Sequence, residues 1–209
     1  QMKKTLIQVR NLAIGHKDRP LFADISFDIC EGDVILLCGA NGSGKTTLLK
    51  ALTEIRSEVE IAMIPTRIPK IKGFTLNEFI NLSCYNKQNA DSDKALKKLA
   101  LSHLADRDIS TLSDGEFQKG TIAAAIAKGA EIILMDEPTA FLDTENRRNV
   151  LSTLRKLCEE TGTAVIFSSH DLYEALETCN KVIALGADRQ CHISSVNLKD
   201  TISAIFSKD

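Results

Sequence analysis

The 209-residue chain has no long apolar run, no paired cysteines at metal spacing and no surplus of positive charge, and each absence excludes a class of function. A membrane-spanning helix needs about 18 or more consecutive apolar residues, and none occur, so the chain is expected to have no transmembrane segment of its own. No basic start followed by an apolar stretch marks a secretory signal, which points to the cytosol. The six cysteines, Cys30, Cys38, Cys84, Cys158, Cys179 and Cys191, form no C-x-x-C pair and have no histidine at zinc spacing. They read as reduced thiols packed as small apolar groups. A net charge of −2 supplies no general field for a polyanion, so no direct nucleic-acid contact is expected. Repeats, low-complexity tracts and linkers are also missing, and a 44% hydrophobic content suits one domain, taken as residues 2–209.

What is present alternates between two patterns. Residues 5–9 and 21–29 interleave apolar and polar side chains like half-buried antiparallel strands, with "GHKDRP" as the turn region. "DVILLC" at 33–38 is a continuous apolar run, suited to a strand covered on both faces, and 60–64, 131–136, 163–169 and 181–185 share its character. Helical spacing lies between them at 45–52, 115–128, 144–160 and 171–178, and "TLNEFINL" and "DKALKKLALSHLA" make the middle helical too. The C-terminal stretch puts Leu198, Ile202, Ile205 and Phe206 on one face, as a core-capping helix would. The fold class is therefore α/β around a mostly parallel sheet, with an antiparallel β portion at the N-terminus.

"GANGSGKTT", Gly39–Thr47, fits G-x-x-x-x-G-K-[ST] and stands between a buried strand and a helix, as a phosphate loop requires. Asn41, Gly42, Ser43, Gly44, Lys45, Thr46 and Thr47 are its phosphate-binding candidates. Gly42 and Gly44 let backbone N–H groups converge on phosphate oxygens, Lys45 reaches the β- and γ-phosphates, and the Thr46 hydroxyl suits Mg²⁺. "IILMDE" ends a second apolar strand in Asp136, suited to the metal, and Glu137, suited to polarising a water for attack on the γ-phosphate. His170 follows a third such strand, so it belongs to the same carboxyl edge of the sheet.

The ordered set "GANGSGKTT", "LSDGE", "IILMDEPTAFLD" and "SSHD" resembles the ATP-binding-cassette (ABC) ATPases over nearly the whole chain. Within them, "HLADRDISTLSDGEFQK" and "DEPTAFLD" look most like the ATPase subunits of bacterial importers for iron siderophores, haem and cobalamin. The resemblance implies a P-loop NTPase core with a shortened helical subdomain at about 75–112. It makes Glu137 the catalytic base, His170 the switch histidine, Ser113 and Gly115 signature residues that bind ATP in trans, and Asp143 the D-loop aspartate. It also implies ATP and Mg²⁺, a head-to-tail homodimer on ATP binding, and a membrane permease that holds the chain on the cytoplasmic face of the inner membrane. The alternative function is a soluble ABC-type ATPase switch that acts on a protein or nucleic-acid partner without a permease.

Departures from the family pattern carry their own expectations. Thr66 stands where a Q-loop glutamine is usual and is too short to reach the metal equally well. His16 takes roughly the place of the aromatic residue that stacks on adenine and is a weaker platform. Asp114 and Glu116 replace a glycine and a glutamine of the signature and add negative charge near a triphosphate, partly offset by the N-terminus of the following helix. Only "LLKALTEIRSEV" separates Thr47 from the next strand, and the helical part before Leu112 is short; both bear on how a permease docks. Lys119 keeps a family positive charge, and Ala124 replaces another arginine.

Overall fold

The computed structural model describes residues 3–16, 18–85, 87 and 90–206, without the side chains of residues 201 and 204–206. Strands β1 (Thr5–His16) and β2 (Arg19–Cys30) pair antiparallel as a separate two-stranded sheet. The main sheet contains β3 (Val34–Gly39), β4 (Ile61–Ile64), β5 (Ile132–Met135), β6 (Ala164–Ser168), β7 (Lys181–Leu185) and β8 (Cys191–Ser194). Its order is β4-β5-β6-β3-β7-β8, parallel throughout except for the antiparallel edge strand β8. The helices are α1 (Lys45–Thr53), α2 (Leu76–Ser83), α3 (Ser92–Lys98), α4 (Asp114–Ala127), α5 (Thr144–Thr161), α6 (Leu172–Thr178) and α7 (Leu198–Phe206).

The continuous apolar strands are explained by two cores, one on each face of the main sheet. Side chains alternate across a strand. Accordingly Leu36, Ile133, Met135, Val165, Phe167 and Val182 pack into a core shared with α4 and α5 and with Leu76, Ile80 and Leu96 of α2 and α3. Ile35, Leu37, Ile132, Leu134, Ile166 and Ile183 pack into the other, against Leu48, Leu49 and Leu52 of α1 and the inward residues of β1 and β2. A strand between two layers has no polar face to give up, which is why its sequence reads as one apolar run.

Three regions differ from the sequence expectation. Strands β1 and β2 run longer than 5–9 and 21–29, because irregular pairing between Val9 and Leu12, with Asn11 at φ 49°, turns Ile14 back inward. Strand β8 was not anticipated; it is a short, half-buried edge with no distinctive pattern. The run "DKALKKLALSHLA" is not one helix. Helix α3 stops at Lys98, Ala100 takes φ 55°, and Leu101 N–H donates to Leu96 O at 2.8 Å, a Schellman closure that delivers Leu101 to the core. Two 3₁₀ turns, Ser102–Leu104 and Ile109–Thr111, complete the region. In α7, Ile202 is buried as expected, while the side chains of Ile205 and Phe206 lie outside those described.

A buried carboxylate joins the two sheets. Asp33 accepts from Lys181 Nζ of β7 at 2.8 Å, from Lys3 Nζ at 3.1 Å and from Cys30 N–H at 3.0 Å, and Lys181 also donates to Asp28 O of β2 at 2.7 Å. Burial alone opposes ionisation of Asp33, but the hydrogen bonds from Lys181, Cys30 and Lys3 outweigh it and hold the carboxyl below its usual range. A carboxyl depressed by folding contributes stability that is present above its unfolded pKa and lost as pH falls through the folded value. We therefore expect stability to decline with acid below about pH 4. Asp33→Asn, which leaves the half-buried Lys181 without a counter-charge, should cost about 2 kcal/mol at pH 7 and flatten that acid limb in urea titrations.

Candidate functional site

The carboxyl end of β3 runs into a loop built to meet an anion. Gly44 caps α1 at φ 103° with no side-chain cap, so the first N–H groups of the helix keep no internal acceptor. Gly42 sits at φ 76° with nothing within 4 Å of where a Cβ would be, leaving the backbone open to approach. Ser43 Oγ is buried without a hydrogen-bond partner. Lys45 is also buried, and its Nζ donates only to the Gly39 and Ala40 carbonyls, at 2.9 and 3.1 Å, with no carboxylate bound to it among the described residues. A buried cation without a counter-charge, an orphaned hydroxyl and free helix N–H groups fit a phosphate group. Asn41 and Thr46 are exposed and Thr47 is half-buried at the same loop-helix junction.

Two strands away, Asp136 follows β5 and is held from both sides. Thr46 Oγ1 donates to its Oδ2 at 2.7 Å, and Ser168 Oγ, at the end of the intervening strand β6, donates to its Oδ1 at 2.8 Å. Ser168 Oγ then accepts the Glu137 N–H at 2.8 Å. Glu137 adopts φ 49°, a left-handed conformation that costs a glutamate on the order of 1 kcal/mol and turns its side chain away from the strand. His170 Nε2 lies 2.6 Å from Glu137 Oε1, so the ring N–H is donated to the carboxylate. The hydroxyl of Thr46 and the carboxylate of Asp136 are hard oxygen donors suited to a small divalent cation. Among the described residues no group of three or more His, Cys, Asp or Glu forms a metal cage, so such a cation would take its remaining ligands from water and phosphate.

The polar turn before α4 is a helix cap. Ser113 Oγ accepts Glu116 N–H at 3.2 Å while Ser113 N–H donates to Glu116 Oε2 at 2.8 Å, a reciprocal capping box. The Ser113 N–H, aided by the Ser113 hydroxyl, holds the Glu116 carboxyl below its usual range. Asp114 pairs with Lys70 Nζ at 2.6 Å. Both carboxylates thus have partners within the chain, Lys70 for Asp114 and the Ser113 N–H for Glu116, beyond the helix N-terminus expected to offset part of their charge. Gly115 is required by packing, since a Cβ there would meet Asn146 Oδ1 at 2.7 Å. Asn146 is in turn fixed by Asp143, whose carboxylate caps α5 by accepting Asn146 N–H at 2.8 Å and Nδ2 at 2.9 Å. Ser113, Asp143 and Asn146 line one cleft of about 370 Å³, which contains no residue of Gly39–Thr47.

The remaining candidates fall in two places. His16 is exposed at the end of the β1–β2 hairpin beside Asp18, whereas the hairpin side chains that approach the phosphate loop at Gly44 are Ile14 and Leu21. Thr66 lies just past β4 and lines a groove of about 550 Å³ with Glu137, Phe117 and Phe141. Sequence reasoning missed Ser168, Lys70 and Arg147. Arg147 joins Asp171, next to His170, and donates to Leu142 O at 3.4 Å, so it ties the histidine loop to the loop before α5. Only Ser168 left a local signal, a hydroxyl pair closing the otherwise apolar run "AVIFSS".

Residues 22–140 match the family model described as ABC transporter. The chain is 30% identical to the iron(3+)-hydroxamate import ATP-binding protein FhuC of Bacillus subtilis, over 86% of this chain and 78% of that one. It is 29% identical to the zinc import ATP-binding protein ZnuC of Cereibacter sphaeroides, over 90% and 82%. A solved inward-facing metal-chelate type ABC transporter superposes with a TM-score of 0.84 at 26% identity, over 98% of this chain and 90% of that one. A nucleotide-free ATP-binding cassette, 20% identical, shares the fold with a TM-score of 0.79 over 99% and 96%. The loop at Gly39–Thr47, the acidic strand end and His170 are thus joined by hydrogen bonds, and by the family match and the identity to FhuC the chain belongs to the ABC transporter family and is an ATP-hydrolysing ATPase of that family.

Proposed function

We propose that the chain hydrolyses MgATP in a head-to-tail homodimer and passes closure of that dimer to a membrane permease that imports a metal-bearing solute, of the iron-chelate class. The observation that carries this reading is the bonded series Thr46, Asp136, Ser168, Glu137 and His170, set apart from a capped Ser113 in a different cleft. One copy supplies the phosphate loop and a second supplies Ser113 and the Gly115 N–H. Two of the relatives are an iron(3+)-hydroxamate import and a zinc import ATP-binding protein, which supports import and a metal-bearing cargo. No helix among the described residues is long and apolar enough to cross a membrane; in this reading the permease is a separate chain that holds this one on the cytoplasmic face. The groove lined by Thr66, Phe117 and Phe141 offers an apolar seat beside Glu137 for a permease segment.

In this reading Lys45 exchanges its two carbonyl partners for β- and γ-phosphate oxygens, and the free N–H groups of α1 complete the cradle. Thr46 and Asp136 would hold Mg²⁺, which supplies charge neutralisation on the phosphates. Glu137 accepts a proton from the attacking water as its oxygen bonds to the γ-phosphorus and the bond to ADP breaks; His170 keeps that carboxylate aimed. His16 offers the adenine a weak stacking surface from the hairpin end. Thr66 occupies the Q-loop position without reaching the metal.

Glu137→Gln should lower kcat by roughly 10²–10⁴ and accumulate an ATP-bound dimer in size-exclusion chromatography. Lys45→Ala should weaken ATP binding by roughly 10- to 100-fold in equilibrium dialysis, from the loss of charge-assisted hydrogen bonds. Ser168→Ala, which strips Asp136 Oδ1 and the Glu137 N–H of a shared partner, should cost about 1–3 kcal/mol and slow turnover, while Ser168→Thr keeps both; thermal unfolding and steady-state kinetics separate the two variants. Affinity capture from solubilised membranes with ATP should recover one polytopic permease. Consistent recovery of none would sink the transporter assignment in favour of a soluble switch.

A further inference from the structure

Residues 65–70, "PTRIPK", form a strap that leaves β4 beside Glu137 and ends on the cap of α4. Pro65 and Pro69 fix their own φ angles and remove two backbone donors, so the strap has few ways to bend. Its two cations grip different loops. The Arg67 guanidinium lies 4.2 Å from the centre of the Phe141 ring, in the loop between Glu137 and Asp143. The Lys70 ammonium is 2.6 Å from Asp114 Oδ1 and 2.7 Å from Leu112 O, and it lies 5.6 Å from the centre of the Phe117 ring. Lys70 therefore holds the residues on both sides of Ser113. It is the less exposed member of the pair, with 24% of its side chain accessible against 64% for Asp114, so the cation is set and the carboxylate comes to it.

We infer that Lys70 is a positioning residue for ATP hydrolysis: through Asp114 and the Leu112 carbonyl it fixes Ser113 and cancels the Asp114 charge that would otherwise repel the ATP held by a second copy. The inference rests on the reading of Ser113 as a residue that binds ATP in trans. Two forces support it. The capping box holds the Ser113 hydroxyl, the proposed donor in trans, as an acceptor from Glu116 N–H, in a place it keeps only while the turn does. A carboxylate one residue away from that donor faces a polyanion across a closing interface, where screening weakens as water leaves. Lys70 answers both requirements with one ammonium.

The test measures steady-state turnover, ATP affinity by equilibrium dialysis and ATP-driven dimerisation in the intact chain. Lys70→Ala should lower kcat five- to twentyfold and weaken dimerisation, with ATP affinity of the monomer changed less than twofold. Added salt should partly restore the Lys70→Ala rate by screening Asp114 and should not raise the wild-type rate. Lys70→Arg should keep most activity. Lys70→Ala combined with Asp114→Gly should recover at least half of the lost turnover, because removal of the carboxylate removes the charge that needed an answer; a merely structural lysine would give no such rescue. Ser113→Ala serves as the reference and should slow turnover at least tenfold. If Ser113→Ala is slow but Lys70→Ala turns over at the wild-type rate, or the double variant is no faster than Lys70→Ala, the inference about Lys70 falls alone. If Ser113→Ala is unchanged, the trans reading of Ser113 falls first and carries the inference with it.

Discussion

Everything at the nucleotide end of the sheet depends on keeping one buried carboxylate, Asp136, supplied with hydrogen bonds. An unpaired carboxylate at the end of a fully buried strand would be strongly unfavourable. Two hydroxyls from different elements prevent that, Thr46 from the first turn of α1 and Ser168 from the end of β6. Satisfying Asp136 therefore draws together the ends of three elements, and it does so before any ligand is considered. The same Ser168 takes the Glu137 N–H, which commits Glu137 to its left-handed backbone and aims its side chain at His170. Strain at one residue is sustained by bonds made at its neighbours.

The sheet order explains why a serine on β6 has this part. Strands β3 and β5 are not neighbours; β6 lies between them, and adjacent strands are spaced by about 4.8 Å, so the backbones of β3 and β5 end roughly 10 Å apart. Ser168 fills the gap with a hydroxyl that bonds to both acidic residues, one through its side chain and one through its backbone. The chain leaves β3 toward one edge of the sheet and later crosses from β6 to β7 on the other side of β3, and at such a reversal the carboxyl ends open into a crevice. The apolar alternation that places three of these strand ends rigidly is the division of side chains between two cores, which allows no register slip by a single residue.

Much of this was legible in the chain. The phosphate loop, the acidic strand end and the histidine are each contiguous, and each follows an apolar run long enough to identify its strand, so position at the carboxyl edge followed from local pattern. The parts that could not be read depend on residues far apart in sequence. Lys70 meets Asp114 across 44 positions, Arg147 meets Asp171 across 24, and neither lysine nor arginine on a surface segment differs locally from a solvated charge. Ala100 hid for a related reason: alanine has high helix propensity, and only the demand to bury Leu101 turns it left-handed. The charges at Asp114 and Glu116 were visible, but their meaning was not, because one partner is three residues away in a capping box and the other arrives from the strap.

The polarity of "LSDGEFQKG" follows from two demands placed on the same helix start. The N-terminus of α4 must approach α5 so closely that position 115 admits no side chain beyond hydrogen, because Asn146, fixed by Asp143, fills the space. The same turn must present Ser113 outward, so its own N–H and hydroxyl are satisfied by Glu116 and do not fold back into the core. A cap closed by Glu116, with Asp114 paired to Lys70, keeps an exposed helix end ordered, which is what the proposed contact of Ser113 with a second copy requires.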